Sequence, residues 1–419
     1  MKIVKKWLVK NWKWAVATLV VIGSFALGLH NASIYSPNHG FDGSGHVYYV
    51  KYIAEHHSIP PPTEWETHQP PLYYIIGAAI MNISGNFRFV HYMNIFILWG
   101  IIGMVGLGLK TVFKDKDQIL LGMFALAALP MLNIFPAMIT NELLSTFFII
   151  ATAVASLYLA KAKTKKELIH SGIRIALCLE FGIWTKISII TILPTVAVAA
   201  LILFIRNKKV RWGVVLVGVA TLILFALAAA PIFMRGAQTK GPSNVANTAA
   251  SIKANRSLDW YFRLDWIPKV DMYNTQYYSM LGAAWNSFFM DGHNVITPFI
   301  KFHKKGFILW SLGFVLLPLS IFGLWKLWKK NRDAALVVNI IGASMLGMYV
   351  LYNLGNHYSA ARLTYEMAIV IPYSFGLAGA AINKKMKVVL FVLLCIQFIT
   401  LLSFYWIQPW WHVTKYIQM

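Results

Sequence analysis

The sequence predicts an all-α polytopic membrane protein with about eleven transmembrane helices. Three observations carry that expectation. Of its 419 residues, 58% are hydrophobic and only 13% are charged, the balance of a bilayer-spanning chain rather than a globular core. The apolar residues gather into runs of about 17–25 residues, long enough to cross a hydrocarbon core. The lysines and arginines fall in short clusters between those runs, as topology signals do. The formal charge of +23 is therefore spread over inter-span loops, which argues against nucleic acid as a partner. Cys178 and Cys395 both lie in apolar runs, so neither a disulfide framework nor a cysteine metal site is expected.

The spans fall near 14–30, 89–109, 118–136, 142–160, 167–184, 187–205, 212–232, 306–325, 334–353, 363–382 and 388–407. The first lacks a small-residue cleavage site and reads as a retained signal-anchor. Basic clusters then set the orientation. They are Lys2, Lys5, Lys6, Lys10 and Lys13; Lys110, Lys114 and Lys116; Lys161, Lys163, Lys165 and Lys166. Further along come Arg206, Lys208, Lys209 and Arg211; Lys326, Lys329, Lys330 and Arg332; Lys384, Lys385 and Lys387. The positive-inside rule puts all six on the cytoplasmic side, with the N-terminus inside and the C-terminus outside. A multi-pass protein of a bacterial or archaeal plasma membrane is the expectation. Residues 71–85 are apolar but short, and counting them as a span would invert the 110–118 loop. They read as an interfacial or re-entrant helix in the first outer loop.

Two outer loops are large, 31–88 and 233–305. The second holds Trp260, Tyr261, Phe262, Trp266, Tyr273, Tyr277 and Tyr278. An interfacial aromatic belt and a sugar- or acceptor-binding lid both fit that content. No repeat of 20–50 residues is visible. The chain divides into a transmembrane module with the first outer loop (1–232), the second loop (233–305) and C-terminal helices (306–419).

Ionisable residues concentrate in the stretch 41–74, which gathers Asp42, His46, Glu55, His56, His57, Glu64, Glu66 and His68. Charge beside a bilayer points to chemistry or recognition there. Asp42 fits a general base acting on a hydroxyl and equally the N-cap of the helix that follows. His46, four residues on, could orient that carboxylate, bind a phosphate or join Asp42 in holding a divalent ion. Glu55, His56 and His57 suit a helix end. In His68-Gln69-Pro70-Pro71-Leu72-Tyr73-Tyr74 the prolines forbid a helix before them, fixing His68 and Gln69 above a new helix. Asn141 and Glu142 open a span on the same side as Asp42. Lys186 lies near an outer turn, with Glu180 as its expected partner. Arg362, and more weakly Arg88, are cations able to grip a lipid phosphate or simply to snorkel. No phosphate loop, Ser-His-Asp grouping or Cys/His zinc pattern occurs.

Taken together, Asp42, the His68–Tyr73 motif and Asn141-Glu142 resemble the GT-C membrane glycosyltransferases of the protein O-mannosyltransferase and aminoarabinose-transferase type. The run from His46 to Pro60, and Thr185-Lys186 before Leu193-Pro194, are similar too. The likeness covers roughly residues 12–205 and departs in two places. Gly43 stands where a Glu usually follows the Asp, and the C-terminal Arg motif survives only as Ala361-Arg362-Leu363. The resemblance implies sugar transfer, with inversion, from a polyprenyl-phosphate donor to an extracytoplasmic hydroxyl on an envelope glycan, lipid or protein. Asp42 would be the base, and His46, His68, Gln69, Asn141, Glu142, Lys186 and Arg362 would bind substrate. The donor is lipid-linked, so no nucleotide-binding motif is needed. A divalent cation, magnesium or manganese, on Asp42, His46 and Glu142 stays open. A transporter or lipid flippase, and a non-catalytic scaffold sharing the fold, are the competing readings.

Overall fold

The computed structural model describes residues 2–38, 40, 42–237, 258–264, 279–291, 303–355 and 363–406. No strand occurs among them. In chain order the helices are α1 (Lys2–Ile34), α2 (Gly43–His56), α3 (Leu72–Ser84), α4 (Arg88–Val112), α5 (Lys116–Ala127) and α6 (Pro130–Asn133). Then follow α7 (Glu142–Lys161), α8 (Lys165–Thr185), α9 (Leu193–Arg206), α10 (Arg211–Ala237), α11 (Leu258–Phe262) and α12 (Met280–Asn286). The last are α13 (His303–Lys330), α14 (Arg332–Gly355), α15 (Val370–Ala380) and α16 (Lys384–Tyr405). Among the described residues, 9 helical segments are long and apolar enough to cross a membrane, and 10 if one bent pair counts as a span. The protein is a multi-pass membrane protein.

The two remaining expected spans are broken, each at an identifiable place. The 118–136 run is α5 followed by Pro130–Ala137, bent by 57°. Pro130 has no N–H to continue the ladder. The amide of Asn133 compensates, donating to the carbonyls of Ala127 at 3.0 Å and Leu129 at 2.9 Å. Ser24 of α1 in turn donates to Asn133 at 3.1 Å. The 363–382 run begins as a 3-10 stretch, Leu363–Ile369, kinked at Glu366 (φ −117°, ψ 42°), before α15.

α7 is the central helix: 83% of its apolar window is buried, against 22% for the segment containing α10. It packs on α4, α8, α9 and α14. α13 and α15 cross backbone to backbone, since a Cβ built on Gly323 would stand 1.7 Å from the Gly376 carbonyl oxygen. Small residues permit such close contact where lipid gives helices no hydrophobic drive to associate.

α2 and α3 form a separate small core over the bundle. Val47, Tyr49, Val50, Ala54, Tyr73, Tyr74 and Ala78 pack against Val90, Ile139 and Leu144. α3 spans 13 residues, too short for a full crossing, and starts right after Pro70-Pro71, as the sequence predicts. Tyr73 pins it down: Asn94 of α4 donates to its hydroxyl at 3.1 Å, and so does the Thr140 N–H at 3.3 Å. This holds α2 and α3 against the segment leading into α7, and so against Asn141 and Glu142.

Candidate functional site

The site lies where the start of α2, the 57–71 loop, the start of α7 and the end of α8 meet. Asp42 occupies the N-cap position of α2, but its backbone is left-handed (φ 58°, ψ 14°) and its side chain makes no capping bond. A left-handed L-residue costs about 1–2 kcal/mol, so the surrounding structure enforces this geometry. The capping reading of Asp42 therefore does not describe its carboxylate. Gly43 has a local reason as well: a Cβ there would meet the Asn38 carbonyl oxygen at 2.6 Å. No acidic side chain fits at 43 without displacing the turn.

A second carboxylate arrives from elsewhere. Glu66 is only 6% exposed and also has a left-handed backbone (φ 64°). Burial, then the charge of Asp42, push its carboxyl up to about 7, with Glu142 adding to the rise and Gln69 and Lys186 opposing it. Gln69 donates to Glu66 Oε2 at 3.2 Å and accepts from the Asn141 amide at 3.5 Å. Asn141 also donates to the Thr185 carbonyl at 3.1 Å. Next along the chain, Lys186 makes an ion pair with Glu142, not with Glu180. The reason is local: Lys186 is extended (φ −163°, ψ 139°). It has left the helix that would have set a spacing to Glu180, and both partners of the pair are mostly buried.

His46 is buried and its Nδ1 lies 2.8 Å from the Tyr74 hydroxyl. Burial first, then Lys186 and His68, lower its pKa to about 3. It is a neutral, hydrogen-bonded ring at neutral pH. His68 opens to solvent; crowding by the protein and then the Arg235 guanidinium lower its pKa. Arg362 lies outside the described residues, as do Trp266, Tyr273, Tyr277 and Tyr278.

Three residues join that the sequence reading did not assign to the site. Besides Glu66, Arg235 at the end of α10 donates through Nη2 to the Pro60 and Thr67 carbonyls, at 2.5 and 2.7 Å. It staples the 57–71 loop to the bundle. Glu366 is buried at its kink, within electrostatic reach of Lys186 and Glu142. Its Oε2 has no hydrogen-bond partner among the described residues. Both had a readable signal: an arginine ending a span on the side opposite the lysine clusters, and a carboxylate inside an apolar run.

Asp42, His46 and Glu142 do not form a metal-holding group in this arrangement. Among the described residues no group of three His, Cys, Asp or Glu side chains is placed to hold a metal ion. His46 already engages Tyr74 and Glu142 engages Lys186.

The fold that carries this arrangement is similar to that of solved structures of ArnT. The structure of ArnT from Cupriavidus metallidurans bound to undecaprenyl phosphate is similar, with a TM-score of 0.55 at 11% identity over 89% of this chain. The apo form of that protein gives 0.52 at 12% identity over 91% of this chain. This chain spans 60% of the length of either. An Archaeoglobus fulgidus oligosaccharyltransferase in complex with zinc and sulfate reaches a TM-score of 0.49 at 10% identity, covering 92% of this chain and 53% of that one. No family model and no curated protein matches the sequence.

Proposed function

We propose that this protein is an integral membrane glycosyltransferase. It moves a sugar from a polyprenyl-phosphate donor to a hydroxyl of an envelope glycan, lipid or protein, with inversion at the anomeric carbon. The observation that carries the reading is the placement of Asp42. Its carboxylate is relieved of capping duty and stands at one end of the bundle, in the same charge cluster as the buried Lys186–Glu142 pair. The fold likeness to ArnT, one structure of which holds undecaprenyl phosphate, supports a lipid-phosphate donor.

The chemistry follows from those groups. Asp42 takes the proton of the acceptor hydroxyl as that oxygen bonds to the anomeric carbon. The bond from that carbon to the phosphate oxygen breaks, and the phosphate leaves with the electron pair. Lys186, turning from Glu142, stabilises the developing charge, and Arg362 is a second cation for it. Gln69, Asn141 and His68 shape the sugar pocket, and neutral His46 fixes the start of α2 on Tyr74. The topology that suits this chemistry has the N-terminus in the cytoplasm and the site on the outer face of the plasma membrane. In it, 1–232 is the catalytic module, 233–305 an extracytoplasmic loop or lid and 306–419 the C-terminal transmembrane helices. The test uses protein in lipid, radiolabelled polyprenyl-phosphate sugars and extracted envelope acceptors. Label should move from lipid to acceptor with wild type. Failure with every donor, alongside movement of donor lipid between leaflets, would replace the transferase by a flippase.

A further inference from the structure

Two carboxylates share one charge cluster in a site whose sequence motif supplies one. Position 43 cannot hold an acid, for the steric reason given above. Position 45 is a glycine of a different kind. A Cβ there would meet Glu66 Cγ at 2.8 Å and Trp65 Cδ1 at 2.6 Å, so the missing side chain is the space through which Glu66 reaches α2. Asp42 and Glu66 are also two of the three non-glycine residues with positive φ among the described residues, at 58° and 64°. Such backbone strain persists only where the surroundings over-determine it, and it collects at functional sites.

We propose that Glu66 is the second carboxylate of the site, a positioning residue that sets the proton affinity of Asp42 and holds the Gln69–Asn141 arm. This rests on the transferase reading above. Glu66 forms no bond to substrate. The transferred proton goes from the acceptor hydroxyl to Asp42, and the electron pair leaves with the phosphate. When Glu66 is ionised, its charge makes Asp42 a stronger base; when it is protonated, that help is lost. The groups facing Glu66 are Asp42 at the start of α2, Tyr74 on α3, Glu142 on α7, Lys186 after α8 and Gln69 on its own loop. The two carboxylates and the one ammonium leave a net negative surround, so Glu66 ionises near neutrality rather than in the ordinary carboxylate range.

Transfer is measured against pH for wild type, Glu66→Gln and Glu66→Asp, since glutamine copies the shape of the neutral acid. At about pH 5.5 Glu66→Gln should match wild type within roughly twofold. At about pH 8 it should fall roughly tenfold behind in kcat at unchanged donor KM, with Glu66→Asp recovering part of the loss. A parallel infrared titration should show a carboxyl C=O band lost near neutral pH in wild type and missing in Glu66→Gln. An equal drop at every pH, or no drop, or no such band, overturns the proposal. If the band titrates as stated but wild type transfers sugar from no donor, the carboxylate pair stands and the transferase reading falls.

Discussion

The two ends of the bundle handle the same residue types in opposite ways. At the lysine-rich end, Lys13 pairs with Asp117 at 2.5 Å, and Lys387 pairs with Asp115 and, at 3.5 Å, with Asp117. Asp115 has ordinary extended backbone and caps α5, accepting from the Asp117 N–H at 2.9 Å. Slight burial works against its charge, but Lys387 and that N–H prevail, and its pKa is lowered. Asp115, Asp117 and Asp333 each pair with a cation there, and solvent reaches all three. At the other end Glu66 is buried within electrostatic reach of Asp42, both backbones are left-handed, and Lys186 lies within reach of Glu66, Glu142 and Glu366. Paired, capped, exposed charge tethers helices; crowded, strained, desolvated charge is suited to moving protons. On the proposed reading, the second end carries the chemistry.

The sharpest break of that contrast is Asp42→Asn, which should lower transfer by about 10³-fold, within the range for loss of a general base, while apparent Tm stays near wild type. Next comes Lys186→Met. It leaves Glu142 charged and mostly buried without its cation, costing about 3 kcal/mol, and it removes the cation proposed to meet the phosphate. Thermal unfolding in detergent should show the loss, and the double variant Lys186→Met/Glu142→Gln should regain stability but not transfer.

Glu66→Gln sharpens the comparison through pH. The folded pKa of Glu66 lies above its unfolded value, near 7 against 4.5. Its favourable contribution is complete below about 4.5 and is lost as pH rises through 7. Glutamine cannot ionise, so the variant should unfold at a higher temperature than wild type at pH 8 and at a similar one at pH 4.5. His46 slopes the other way. Its pKa falls from 6.5 to about 3, so its contribution is present above 6.5 and lost as pH falls through 3. The smallest effect belongs to Lys13→Met at the lysine-rich end. A half-exposed ion pair is worth about 0–1 kcal/mol, so unfolding temperature should barely move and transfer should not change.

Helix positions were readable because length and charge clustering are local properties. The start of α3 after Pro70-Pro71 and of α7 at Glu142 follow from proline sterics and helix-end electrostatics. The breaks at Pro130 and Glu366 were less so, since what satisfies a broken ladder comes from other helices, as Asn133 and Ser24 do here. Asp42, Asn141, Glu142 and Lys186 could be singled out, but not their partners. The path of the 57–71 loop depends on a missing Cβ at Gly45 and on Arg235, 175 residues from Pro60. For the same reason Glu66 stayed one acid among several in a loop.

One comparison tests the account most directly: sugar transfer in lipid by wild type, Asp42→Asn and Asp117→Asn, each checked for folding by thermal unfolding. Transfer is expected from wild type and Asp117→Asn, and its loss is expected in folded Asp42→Asn. Transfer by Asp42→Asn at the wild-type rate, or an equal loss in Asp117→Asn, would contradict it.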